Sequence, residues 1–129
     1  MILDSSALLS ILFRESDRER FTLAVADALV CRISAVTFVE TAMRAESAGG
    51  TAMARNLDDL LRETQIEIEP VTVGQARWAR SALRAFGRGT RHPARLNLGD
   101  CFAYALAKEY DEPLLFKGDD FNRTDIAAA

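Results

Sequence analysis

The chain predicts an α/β protein, a three-layer sandwich with a central, largely parallel sheet. Short apolar runs at Met1–Leu3, Leu29–Ile33 and Leu114–Phe116 and the spaced Ile66, Ile68 and Val71 near Gln65–Glu69 read as strands, and stretches of helical periodicity separate them. Strands that alternate with helices build parallel sheets covered on both faces and joined by right-handed crossovers. The 129 residues contain no repeat and no long linker, so 1–129 reads as one domain.

The elements follow in order. Met1–Leu3 ends at Asp4, and Ser5 and Ser6 are placed to cap a helix reaching Phe13. Asp17 is placed to cap a second helix, with Phe21, Ala24, Val25 and Ala28 on one face. After the strand Leu29–Ile33, Ser34 opens a third helix whose Val36, Val39, Glu40 and Met43 form one stripe. That stripe predicts a carboxylate facing the core, which is costly unless paired or ligating. Gly49-Gly50 breaks the helix, and another follows from about Ala52 to Arg62. Thr72 with Gln75 fits a capping box for a helix reaching about Phe86. Gly87 to Leu98 reads as a loop, Asn97–Gly99 as the start of a helix with Asp100 in its first turn, and Lys117–Asp120 as a turn. Asp125–Ala129 supplies a short edge strand.

Composition narrows the class. Hydrophobic residues make up 49% and charged residues 27%, which excludes a disordered chain. No apolar run approaches the roughly 18 residues of a membrane helix, and Asp4 is out of place in a signal peptide. The expectation is a cytoplasmic protein that does not engage membranes. Cys31 and Cys101 lie far apart and His92 is the only histidine, so a zinc site is not expected and both thiols read as buried and reduced. The net charge of −3 argues against non-specific nucleic-acid binding. Its distribution differs: no Asp or Glu lies between Glu69 and Asp100, an interval that holds Arg77, Arg80, Arg84, Arg88, Arg91 and Arg95. The interval reads as a solvated face or as a surface for phosphate, which arginine grips bidentately.

In parallel sheets the ligand crevice lies at the carboxyl ends of the strands. Asp4 follows the first strand, Glu40 lies on the helix after the second, Asp100 opens a later helix, and Asp119 and Asp120 follow the fourth strand. Taken singly, these acids have structural explanations: helix caps, turn residues, or, for Glu40, a pair with an arginine. Taken together they reach one sheet edge, where converging carboxylates need protons or a cation. Oxygen donors without His or Cys suit Mg²⁺, with Mn²⁺ as a substitute.

Four segments carry a resemblance. Met1-Ile2-Leu3-Asp4-Ser5-Ser6-Ala7, Ser34-Ala35-Val36-Thr37-Phe38-Val39-Glu40, Leu96-Asn97-Leu98-Gly99-Asp100-Cys101-Phe102-Ala103-Tyr104-Ala105-Leu106-Ala107, and Leu114-Leu115-Phe116-Lys117-Gly118-Asp119-Asp120-Phe121 with Thr124-Asp125-Ile126 occur in this order. Their sequence resembles the PIN-domain ribonucleases, and within them the VapC toxins of bacterial toxin–antitoxin pairs. The resemblance implies a PIN-like fold, Mg²⁺-dependent endonucleolytic cleavage of RNA, a small neutralising antitoxin and a homodimer. It places metal ligands at Asp4 and Asp100, with Glu40 and a fourth acid completing the site. Many PIN domains carry an acid where this chain has Gly118, which leaves the fourth between Asp119 and Asp120; the family's Asp-Phe pair favours Asp120. Arg91, Arg95 and Lys117 are candidate RNA contacts. Two alternatives compete. A phosphotransfer domain on a similar sheet would want Asp-x-Asp after the first strand, where this chain has Asp4-Ser5-Ser6. A catalytically inactive module binding RNA or protein would not need the acids.

Overall fold

The computed structural model describes residues 1–129. Four strands, β1 (Ile2–Leu3), β2 (Arg32–Ser34), β3 (Glu67–Glu69) and β4 (Leu114–Leu115), form one sheet in the order β3-β2-β1-β4. Every pairing is parallel, so the sheet is wholly parallel. The C-terminal residues add the expected edge contact, a parallel bridge between Leu114 and Ala128.

Alternation along the neighbouring strands β1 and β4 divides the core, because successive side chains of a strand point to opposite faces. Ile2 and Leu114 pack into one apolar cluster with α4 (Val73–Phe86) and α5 (Leu98–Tyr110). Leu3 and Leu115 pack into a second with α1 (Ser5–Leu12), α2 (Arg18–Asp27) and α3 (Ala35–Glu63). A sheet buried on both faces between helices is the three-layer sandwich predicted. The helix α3 is broken where expected, with Gly49 and Gly50 outside helical geometry.

Several local expectations change. Leu29 is fully exposed and Val30 partly so, and β2 starts at Arg32. There the Arg32 guanidinium meets Glu67, Glu69 and Glu112 at 3.2, 3.3 and 2.6 Å, tying the exposed edge strand β3 to the sheet. The stripe Val36, Val39, Glu40, Met43 does not face the core, since Val39 and Met43 are exposed. The face that α3 buries before its glycine break is Thr37, Thr41 and Ala45, whose small side chains permit close approach and where Thr41 satisfies its hydroxyl on the Thr37 carbonyl at 2.7 Å. Asp4, rather than Ser5 or Ser6, caps α1. Asp17 precedes α2 without capping it, and its carboxylate instead accepts from Ser10 and Lys117. Thr72 caps α4, but Gln75 does not complete the box; its amide donates to Glu109 on α5.

Candidate active site

The sheet's carboxyl edge gathers the acids. Asp4 leaves β1 and is buried, with 3% of its surface exposed. Its Oδ2 accepts from the Ser6 amide at 2.9 Å and the Ser6 hydroxyl at 2.6 Å, whereas its Oδ1 is buried and has no partner. The Ser6 oxygen in turn accepts the Lys117 amide at 2.9 Å, which binds the segment after β4 to the segment after β1.

Asp100 is fixed by the first turn of α5. Asn97 and Asp100 form a capping box, each side chain accepting from the other's amide at 2.8 Å. Orphan amides at a helix N-terminus make this arrangement favourable and orient the carboxylate. Glu40 reaches the same turn from the second turn of α3. A Cβ at Gly99 would overlap Glu40 Oε2 and lie 2.8 Å from its carboxyl carbon, so any side chain at 99 would push this carboxylate out of its present position. Glu40 Oε2 is also buried without a hydrogen-bond partner.

The electrostatics reflect this crowding. Burial pushes the Asp100 carboxyl up to about 7, with further upward pressure from Asp4, Glu40 and Asp120. Burial raises Glu40 as well, with Asp4 adding to it and Arg44 opposing. Asp4 is raised by burial against the lowering effect of the Ser6 bonds. Like charges in a poorly solvated site disfavour joint ionisation. The side chains as they stand do not close into a group of three ligands around one ion. Mutual repulsion opposes such closure, and Mg²⁺ commonly takes only one or two carboxylates and keeps several waters. Two buried, unpartnered carboxylate oxygens and an all-oxygen donor set therefore fit that ion.

The remaining candidates separate. Asp120 is exposed, precedes the 3₁₀ turn Phe121–Arg123 without a side-chain cap, and contributes to the field at Asp100. Asp119 accepts from the Asn122 side chain at 3.3 Å and lines a different cleft, with Asp17 and Arg20. The turn before them carries Gly118 at φ 95°, the left-handed region open to glycine. Lys117 sits between Glu15 and Asp17, at 2.5 and 3.1 Å, so its charge is already compensated. Arg91 and Arg95 are exposed and form no salt bridge. Sequence reasoning missed Ser6 as a carboxylate donor and Gly99 as the seat of Glu40. The Asn97-x-x-Asp100 spacing was available as a capping signal, but nothing in the sequence announces the contact of Gly99 with a residue on another helix.

Known proteins are similar to this chain in sequence and in fold. The PIN domain model matches residues 1–127. The chain is 46% identical over 129 residues to ribonuclease VapC28 of Mycobacterium tuberculosis, covering 100% of this chain and 97% of that protein. It is 47% identical over 128 residues to ribonuclease VapC of Mycolicibacterium smegmatis, covering 99% and 98%. Among solved structures, Mycobacterium tuberculosis VapC20, described as a sarcin-ricin loop cleaving toxin, superposes with a TM-score of 0.79 at 16% identity, covering 99% of this chain and 97% of that one. VapBC2 from Rickettsia felis gives 0.73 at 14% identity, covering 98% and 94%. At such identities the structures speak for the fold alone, whereas the full-length sequence matches speak for descent. A parallel sheet in this order, acids at its carboxyl edge and matches across nearly every residue make the chain a member of the PIN-domain family and, within it, of the VapC ribonucleases.

Proposed function

We propose that the chain is a metal-dependent endoribonuclease, the toxin of a VapBC-type pair, acting on RNA in the cytoplasm. The observation that carries this is the meeting of Asp4, Glu40 and Asp100 at one edge, with Asp4 Oδ1 and Glu40 Oε2 buried and unpartnered. Asp4 and Asp100 are the residues that hold Mg²⁺, or Mn²⁺ in its place. A bound divalent ion supplies charge neutralisation at the phosphate and lowers the pKa of water towards neutrality. Asp100 keeps one oxygen on the Asn97 amide, so its carboxylate meets substrate in a fixed orientation. Glu40, half-buried with its carboxyl raised, is placed to take the proton of the attacking water. Asp120 supplies the fourth charge from the mouth of the site, and Arg91 and Arg95 hold the flanking RNA backbone.

Regulation follows from the surface. A cleft of about 540 Å³ between α2 and the second arm of α3 is lined by Val25, Ala28, Leu29 and Leu60, among others. An amphipathic antitoxin helix fits such a groove, and an arginine in its extension would neutralise the acids. Rickettsia felis VapBC2 and Neisseria gonorrhoeae FitAcB are structural neighbours solved as VapBC-type and FitAcB assemblies. The shallower apolar face of Val36, Val39, Met43 and Leu98 beside Glu40 fits a second copy, giving a homodimer. Sedimentation at micromolar concentration tests the dimer, and a monomer there rejects it. The central test is inducible expression of wild type and Asp100→Asn, with mapping of cleaved cellular RNA and cleavage in vitro with Mg²⁺ or EDTA. Cleavage by wild type in Mg²⁺ alone, lost in the variant, is expected; equal cleavage by both rejects the site.

A further inference from the structure

The outward face of α4 has no role in the site described above. Gln75, Ala79 and Ala82 line its buried side. At about 100° per residue, Arg77, Arg80 and Arg84 share an arc of about 60° on the opposite side. All three are exposed, none pairs with an acid, and α4 contains no Asp or Glu. A merely solvated face in a chain of net charge −3 would mix signs and use pairs three or four residues apart.

The face runs into the catalytic edge without interruption. After Phe86 the backbone is clamped, with Leu96 donating to the Phe86 carbonyl and Arg88 donating to the Leu96 carbonyl, each at 2.8 Å. The Arg88 Nε also donates to the Arg95 carbonyl at 3.3 Å, holding the two arginine positions in one turn. Asn97 follows directly and caps the helix that presents Asp100. From Arg77 to Arg84 the helix rise covers about 10 Å, and Arg88 follows just past the helix end at Phe86.

We propose that Arg77, Arg80, Arg84 and Arg88 form a phosphate track along α4, by which a single RNA strand leaves the catalytic edge and is held several nucleotides from the scissile bond. The inference rests on the ribonuclease reading and adds a direction to it. Planar guanidinium groups suit successive phosphates without reading bases, so the track sets affinity and the minimum substrate length rather than sequence preference.

The test is binding in EDTA by the full chain and by an Arg77→Gln/Arg80→Gln/Arg84→Gln variant, with circular dichroism as fold control. The probes are single strands of about 15 and about four nucleotides, which bracket the site sizes of single-strand binders. Wild type should bind the long strand more tightly and with the steeper salt dependence. The variant should lose about 2 from the slope of log K against log salt on the long strand, at about 0.7 per phosphate contact, and the length advantage should disappear. An unchanged slope overturns the track, as does an equal loss on both strands. Loss of polyglutamate binding with RNA binding intact also overturns it, because the face would then belong to an acidic protein segment. Wild-type cleavage in Mg²⁺ is measured in parallel. Its absence rejects the ribonuclease reading, whereas cleavage with an unchanged slope rejects only the track.

Discussion

Glu40 shows how one side chain depends on another element. Its position on α3 reads in sequence as a misplaced core acid, yet the exposed neighbours Val39 and Met43 show that the core is not where it points. What surrounds it is the first turn of α5, and Gly99 is the residue that admits it. Gly99→Ala should therefore leave thermal stability unchanged or slightly raised, because alanine is the better helix former by about 0.5–1 kcal/mol. Divalent-ion affinity, measured by calorimetry with Mn²⁺, should fall about tenfold or more, as when a supporting group around a metal is lost. Unchanged affinity would mean that Glu40 is not part of the ion's surroundings. The two adjacent acids after β4 give a sharper contrast. Asp120 acts on Asp100 whereas Asp119 is turned to Asn122, so Asp120→Asn should cost more cleavage than Asp119→Asn at limiting Mg²⁺. The reverse order, with both proteins folded, would transfer the fourth charge to Asp119. Adjacent turn residues differ in direction, and that direction depends on how Phe121 packs against Phe116, which sequence spacing does not encode.

Elements were legible where one periodicity acted alone. The order of strands and helices, the glycine break in α3 and the Asn97–Asp100 start of α5 follow from local patterns. Misreadings cluster where polar side chains serve tertiary contacts. Thr37 and Thr41 form the buried face of α3 although they read as polar, and Gln75 leaves its own helix start for Glu109. Asp17 similarly joins Ser10 and Lys117 across elements instead of capping α2. The α5 cap couples stability to chemistry, since the same hydrogen-bond pair starts the helix and holds Asp100. Asn97→Ala removes the side-chain acceptor and should cost about 0.5–2 kcal/mol of stability in urea unfolding. Asn97→Ser, which retains a capping oxygen, should recover most of that stability. If the alanine variant is as stable as wild type, the box contributes nothing to the fold.

At the scale of the whole molecule, the crowded carboxylates at the sheet's carboxyl edge carry an electrostatic cost, which ties stability to pH. Between the ordinary carboxyl range and about 7, folded Asp100 holds a proton that the unfolded chain has released. The native state then binds more protons than the unfolded state, so stability must fall as pH rises through that window. Glu40 and Asp4, also raised, act in the same direction. This is the opposite of the common salt-bridged carboxylate, whose stabilising contribution is lost on acidification. In EDTA the melting temperature should be higher near about pH 5 than near about pH 8 on account of these groups. Asp100→Asn should flatten that slope and raise the melting temperature at the alkaline end, because an amide is not ionised in either state. Saturating Mg²⁺ should act oppositely on wild type, stabilising most at the alkaline end where the ligands are ionised. At a hundredfold excess over its dissociation constant the ion adds about 2.7 kcal/mol, or about 10 °C for a domain of this size. Differential scanning calorimetry across this pH range, with EDTA or Mg²⁺, reads both effects at once. A wild-type profile in EDTA as flat as that of Asp100→Asn would show that the carboxylates are not crowded, and a melting temperature indifferent to Mg²⁺ at the alkaline end would show that they do not bind it.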